Sequence, residues 1–156
     1  MHSPCSPTFR IVVDVPTQTL RLEESGILRE TFSISTSKFG LGTEPGSYRT
    51  PLGRFVIDEK IGGGHPEGTQ FKSRQAIGVV SELGGDEDLI LTRILWLSGR
   101  DPENANTRER YIYIHGTNQE ALLGTPASHG CVRMRNSDIF RIFDLVPEGT
   151  FVEIIS

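Results

Sequence analysis

Apolar and polar residues alternate along most of this chain, and the alternation stops wherever turn-forming residues cluster. Phe9 to Val15, Thr19 to Glu23 and Ile27 to Ser35 have this period of two around Pro16-Thr17 and Ser25-Gly26, and so predict consecutive strands. Arg54 to Asp58, Ile90 to Trp96 and Tyr111 to His115 continue the series, and Phe151 to Ile155 closes the sheet. A helical period is carried by Ile139, Phe140, Ile142, Phe143, Leu145 and Val146, with a cap expected at Asn136 or Ser137 and a stop at Pro147-Glu148-Gly149. The stretches Ser81 to Asp88 and Gly99 to Arg110 read as polar loops. Trp96, Tyr111 and Tyr113 read as core or pocket wall rather than stacking platforms. The expected fold class is therefore mainly β, a single domain of mixed sheets with one helix near its end.

A chain of 156 residues, 36% of them hydrophobic, fits one domain with a single adequate core. No repeat, linker or low-complexity segment divides it. Residues 1–8 are expected to be a disordered tail and 9–156 the domain. The formal net charge of −4 with no basic stripe argues against nucleic acid and anionic membrane surfaces as partners. The opening Met1-His2-Ser3-Pro4-Cys5-Ser6-Pro7 lacks a basic segment followed by an apolar run, so a cytoplasmic location is expected; the alternative is a periplasmic or wall location for a chain that has lost a leader. Cys5 reads as incidental.

The candidate chemistry lies between His115 and Cys131. An alternating strand, Tyr111-Ile112-Tyr113-Ile114-His115-Gly116, delivers an imidazole, and Ser128-His129-Gly130-Cys131-Val132-Arg133 delivers a thiol from a turn. A free thiol near pKa 8.5 is only a few per cent ionised at neutral pH, so a nucleophilic cysteine needs a neighbouring base. A histidine at the end of a buried strand can be aimed rigidly at that sulfur. Gly130 allows a sharp turn that could present the N–H groups of Gly130 and Cys131 to an oxyanion. If the chain stays extended past Cys131, Arg133 points to the same side and could bind a substrate carboxylate, a solvated surface arginine being the other reading. Tyr113 and Ser128, flanking the pair, are further candidates for substrate contact.

Competing readings have less behind them. A buried structural thiol would suit an isolated cysteine, but here the spacing and Gly130 accompany it. A zinc site built from His115, His129 and Cys131 has none of the usual ligand spacings, so neither metal nor cofactor is expected. Ser35-Thr36-Ser37-Lys38 matches a serine-enzyme signature, yet it ends a strand instead of opening a helix and lacks its companion elements. Gly62-Gly63-Gly64-His65-Pro66-Glu67-Gly68 lacks the ending of a phosphate loop and reads as a flexible segment, suited to a lid, with His65 solvated.

The strand ending Tyr-Ile-His-Gly, followed by a loop and Ser-His-Gly-Cys-Val-Arg, resembles the L,D-transpeptidase catalytic domain, also called YkuD. The resemblance extends to Ile11–Val15 with Gln18–Leu22 as an opening hairpin and to Thr50-Pro51-Leu52-Gly53-Arg54-Phe55 as a strand entry, so nearly the whole chain is covered. Many members carry Asn at the Arg133 position, and Arg is a familiar variant. The resemblance implies Cys131 as nucleophile, His115 as its base, a Gly116 carbonyl that orients the ring, and His129 with Gly130 shaping the site and the oxyanion pocket. It implies a peptidoglycan tetrapeptide stem or muropeptide as substrate, attack at the third residue with loss of terminal D-Ala, and acylation of Cys131 by carbapenems.

Lys60–Gly64, Leu91–Leu97 and Arg110–Thr117 are similar to a short, leaderless branch of the family that acts as cytoplasmic L,D-carboxypeptidases in wall recycling. Water is then the expected acceptor. Transfer to an amine, giving cross-links or exchange of D-amino acids, is the alternative, and a non-catalytic wall-peptide binding module is the reading from another class.

Overall fold

The computed structural model describes residues 8–156. The expectations for residues 1–7, including Cys5, lie outside the described residues. Thr8, assigned by the sequence reading to a disordered tail, is already tied to the sheet, since its carbonyl accepts a hydrogen bond from Ser25 N–H at 2.7 Å. The strands are β1 (Phe9–Asp14), β2 (Thr19–Glu24), β3 (Ile27–Ser35), β4 (Gly53–Ile61), β5 (Thr69–Lys72), β6 (Gln75–Val79), β7 (Ile90–Gly99), β8 (Tyr113–Gly116), β9 (Val132–Met134) and β10 (Phe151–Ile155). One α-helix, α1 (Asn136–Leu145), follows β9, and short 3₁₀ turns cover Pro102–Asn104 and Glu120–Leu122.

The opening alternation builds an antiparallel meander. Ile11, Val13, Leu20 and Leu22 are fully buried on one face of β1 and β2, as a period of two requires. Ser25 and Gly26 both have positive φ, 50° and 81°, the backbone of a tight two-residue hairpin whose twist matches the strands it joins. All strands belong to one sheet in the order β4-β10-β1-β2-β3-β9-β8-β7-β5-β6. β4 also pairs with β7, so the run from β4 round to β7 closes on itself and the β5–β6 hairpin hangs from β7. Several mixed sheets were expected; closure through β4 and β7 makes them one. It remains mixed, with parallel pairs β1–β10 and β8–β9.

Inside the ring Phe32, Ile34, Phe55, Ile57, Leu95, Leu97, Ile114, Val132 and Met134 join the β1–β2 residues in a single core. Ile139, Ile142, Phe143 and Val146 of α1 pack into the same core. The expected cap at Asn136 or Ser137 is corrected: the residue before the helix is Arg135, which makes no side-chain cap. Instead the Glu120 carboxylate accepts from Asn136 N–H at 2.8 Å. An acidic group from another segment thus does the work of a local cap at the positive end of the helix.

β5 and β6 were not foreseen. Their turn residues Ser73 and Arg74 have φ of 46° and 64° without any glycine between the strands' ends, and every residue of β6 is exposed, so neither the turn signal nor a buried alternation was there to read. No helix among the described residues is long and apolar enough to cross a membrane.

Ile114 is the fully buried midpoint between the two strands that carry the site. Ile114→Ala is expected to lower stability by about 2–5 kcal/mol, through lost transfer energy and the cavity left behind. Ile77→Ala on exposed β6 is expected to change it by less than about 0.5 kcal/mol. Urea unfolding of both variants checks the contrast, and equal midpoint shifts would contradict this placement of the core.

Candidate active site

The site is set by the parallel pairing of β8 with β9, in which Ile114 lies opposite Val132, His115 opposite Arg133 and Gly116 opposite Met134. Ile114 and Val132 face the core, so the alternate residues, Tyr113 and His115 on one strand and Arg133 on the other, face the opposite side. Cys131 immediately precedes β9 and packs on that same side, against a second apolar cluster of Phe71, Ile94, Trp96 and Tyr113.

His115 is buried. Its Nδ1 lies 2.6 Å from the Gly116 carbonyl. A carbonyl can only accept, so Nδ1 carries the hydrogen and Nε2 is left with its lone pair. Burial holds the imidazole below its ordinary pKa, against the raising influence of Asp88 and of the Gly116 carbonyl. The ring is therefore neutral at pH 7 and available as a base. Gly116 is needed for space as well as for its carbonyl: a Cβ there would sit 2.7 Å from the Leu91 carbonyl and would also strike Asn136.

The Cys131 thiol is half-buried and lies between two backbone groups. Tyr113 N–H donates to Sγ at 3.3 Å, and the thiol is directed at the Tyr111 carbonyl, 3.4 Å away. Burial pushes it up to about 12, opposed by the Tyr113 N–H and by the positive charges of Arg133 and Arg110. In the resting protein the uncharged forms, a protonated thiol and a neutral imidazole, are thus the favoured ones.

The turn before Cys131 is held by its own side chains. Gly130 has φ of +120°, where L residues are strained, and the Thr50 hydroxyl donates to its carbonyl at 2.9 Å. The Ser128 hydroxyl donates to the Cys131 carbonyl at 2.6 Å and accepts from Gly130 N–H at 3.3 Å. Two expectations change here. Ser128, a candidate for substrate contact, is buried and spends its hydroxyl on the turn. Gly130 N–H is likewise engaged, whereas Cys131 N–H has no acceptor among the described residues and is the open donor next to the sulfur.

Arg133 lies on the expected side but is neither solvated nor free. It is 1% exposed, donates to Gln119 Oε1 at 2.8 Å, and pairs with Asp88 at 2.8 Å. The other oxygen of Asp88 meets His129 Nδ1 at 3.0 Å. His129 is otherwise a half-exposed ring, 5.9 Å from each of Phe39 and Tyr48. Asp88 thus ties together His129 and Arg133, which lie two positions either side of Cys131 in sequence. The sequence carries no signal for this role, since Asp88 ends the acidic loop Ser81–Asp88, where one carboxylate looks like the next.

Tyr113 is buried against Trp96, and its hydroxyl accepts from Arg74 Nη1 at 3.2 Å. Trp96 is buried too, whereas Tyr111 is 52% exposed and lies before the strand, with φ of +56°. The segment Gly62–Gly68 has apolar anchors that the sequence did not suggest. His65 stacks edge-on against Phe71, and Gly63 faces Phe143. Gly68 N–H donates to Thr92, whose hydroxyl donates in turn to Asn136 Oδ1 at 2.6 Å. These are contacts with β5, β7 and α1. His115, His129 and Cys131 do not gather with other side chains into a metal cluster among the described residues.

The model of the L,D-transpeptidase catalytic domain, YkuD, matches residues 8–154, and the chain belongs to that family. It is 28% identical over 155 residues to the Bacillus licheniformis protein named "Putative L,D-transpeptidase YkuD", covering 99% of this chain and 70% of that one. It is 44% identical over 145 residues to "Putative L,D-transpeptidase YqjB" of Bacillus subtilis, covering 92% and 69%. Among solved structures, L,D-transpeptidase 3 from Mycobacterium tuberculosis with a faropenem-derived adduct shares the fold at a TM-score of 0.64 and 16% identity over 96% of this chain. An L,D-transpeptidase from Xylanimonas cellulosilytica does so at 0.62, with 23% identity over 98% of this chain. The chain spans 61% and 63% of those two solved chains.

The resting protonation states have a direct readout. A thiol pushed up to about 12 gains thiolate as pH rises, so the rate of iodoacetamide alkylation at Cys131 is expected to be low at pH 7 and still climbing past pH 9. A plateau reached by pH 7 would mean a preformed thiolate–imidazolium pair and would contradict this picture.

Proposed function

We propose that the chain is a cysteine acyl-enzyme peptidase acting on peptidoglycan tetrapeptide stems, releasing terminal D-Ala from the third residue with water as acceptor. The observation that carries the chemistry is that a buried His115, held through Nδ1 by the Gly116 carbonyl, and the Cys131 thiol lie on the same face of β8 and β9. Cys131 gives its proton to Nε2 of His115 as the sulfur bonds to the substrate carbonyl carbon. The carbonyl oxygen becomes an oxyanion, and Cys131 N–H is the donor beside it. Collapse breaks the peptide bond, the imidazolium returns its proton to the departing amine, and a thioester remains on Cys131. A water then yields a proton to His115 as its oxygen attacks the thioester carbon; the C–S bond breaks, the tripeptide leaves with a new carboxyl group, and the imidazolium returns the proton to sulfur, restoring the thiol.

Water as acceptor rests on the likeness of Lys60–Gly64, Leu91–Leu97 and Arg110–Thr117 to the leaderless carboxypeptidase branch. The names of the relatives favour a second reading, transfer of the same acyl group to an amine. A cytoplasmic setting belongs with the first reading and an extracytoplasmic one with the second.

Mass spectrometry of a diaminopimelate-containing tetrapeptide, incubated with and without excess D-Met, separates them. The expected product is tripeptide alone, formed by wild type and lost in Cys131→Ala. A Met-exchanged or dimeric product would move the assignment to transpeptidation, and equal turnover by Cys131→Ala would sink the acyl-enzyme. A carbapenem adduct is expected on wild type and not on Cys131→Ala by intact mass.

A further inference from the structure

The structure assigns Arg74 as a substrate-binding residue that receives a carboxylate of the stem peptide, an inference that rests on the function proposed above. Arg133, the arginine expected in that role, is buried, and both of its terminal nitrogens are taken, one by Asp88 and one by Gln119, leaving only Nε without a partner among the described residues. Arg108 is held by Asp58 and Glu59, and Arg110 donates to the Gly42 and Arg49 carbonyls. Arg74 differs. Among the described residues neither Arg74 nor Arg110 has a carboxylate within 4 Å, but Arg110 is taken up by backbone carbonyls, whereas the one side-chain hydrogen bond of Arg74 goes to the Tyr113 hydroxyl.

The group is nevertheless oriented. Its guanidinium carbon lies 5.1 Å from the ring centres of both Trp96 and Tyr111, so two aromatic faces and one phenol hold it while other N–H groups stay free. A planar guanidinium held in this way loses little freedom when it takes a carboxylate. Its position relates it to the reaction. Tyr113 touches both groups, donating its backbone N–H to Cys131 Sγ and accepting from Arg74 at its hydroxyl, while the Tyr111 carbonyl is the thiol's other partner.

The backbone supplies an independent observation. Arg74 sits at the tip of the β5–β6 hairpin with φ of 64°, beside Ser73 at 46°. A two-residue turn with both residues left-handed is best served by Asn-Gly or Asp-Gly. This chain instead places an arginine there, and its side chain reaches back over Trp96 and Tyr111.

A tetrapeptide stem offers three carboxylates: the terminal D-Ala, the side-chain end of diaminopimelate and the α-carboxyl of the γ-linked D-Glu. The test uses the intact tetrapeptide and three analogues. One is amidated at D-Ala, one carries lysine at the third position, and one is amidated at the D-Glu α-carboxyl. Binding to Cys131→Ala and to the Cys131→Ala, Arg74→Gln pair is measured by calorimetry, alongside kcat and KM of wild type, Arg74→Gln and Arg74→Lys. Loss of Arg74 is expected to weaken binding of the intact peptide roughly 10- to 100-fold. That loss should vanish on the one analogue that lacks the partner carboxylate, with Arg74→Lys in between and iodoacetamide alkylation of Cys131 unchanged. An undiminished affinity in the Arg74→Gln background, or an equal loss on all four peptides, overturns the assignment. Arg74-dependent binding without turnover by wild type would leave this inference standing and remove the proposed chemistry; turnover indifferent to Arg74 would do the reverse.

Discussion

The parallel pairing of β8 with β9 is the constraint on which the rest of this molecule depends. Side chains alternate across a strand, so one register decides which residues meet on the outer face: Tyr113, His115 and Arg133, with Cys131 just ahead of them. A slip of β9 by one residue would turn Val132 and Met134 away from the main core and put Arg133 into it. Parallel strands cannot be joined by a tight hairpin, and the long connection from Thr117 to Cys131 is therefore obligatory. Its backbone is tied down by Ser128, Thr50 and Asn136, and the carboxylate of its Glu120 anchors it to the start of α1.

Burial then sets the chemistry. The same low-dielectric surroundings push the thiol up and the imidazole down, which favours the uncharged forms of both. Two uncharged groups cost less to bury than an ion pair, and in the proposed reaction charge separates only when a carbonyl is present to receive the sulfur. Around it the charged groups are mostly spoken for. Asp88 bridges Arg133 and His129, Gln119 takes another arm of Arg133, and the Arg74 guanidinium, held by the Tyr113 hydroxyl and two aromatic rings, has no carboxylate within 4 Å among the described residues.

Much of this was legible in the sequence. Ile27–Ser35 and Phe151–Ile155 emerged with their bounds unchanged, because strong alternation and turn residues mark both ends. The His115 strand and the Cys131 turn were visible because they are local, one a run of alternating residues and the other a glycine-tightened motif. What was hidden depends on contacts distant in sequence. The closure of β4 on β7, the partnership of Asp88 with Arg133 and the carboxylate of Glu120 at the start of α1 have no local signature. The β5–β6 hairpin was hidden for a different reason, since its turn uses Ser73 and Arg74 where glycine or asparagine would have announced it. Arg133 illustrates how far a pattern argument reaches: its side of the strand was right and its surroundings were not.

The central claim is that Cys131 carries the acyl group of a tetrapeptide stem. Rapid-quench intact-mass analysis of the wild-type protein mixed with excess tetrapeptide tests it most directly, followed by peptide mapping of any adduct. The account predicts a transient mass increase equal to the tripeptidyl acyl group, located on Cys131 and absent from Cys131→Ala. Release of D-Ala with no covalent species at any quench time, under conditions where deacylation is slowed by low temperature, would contradict it.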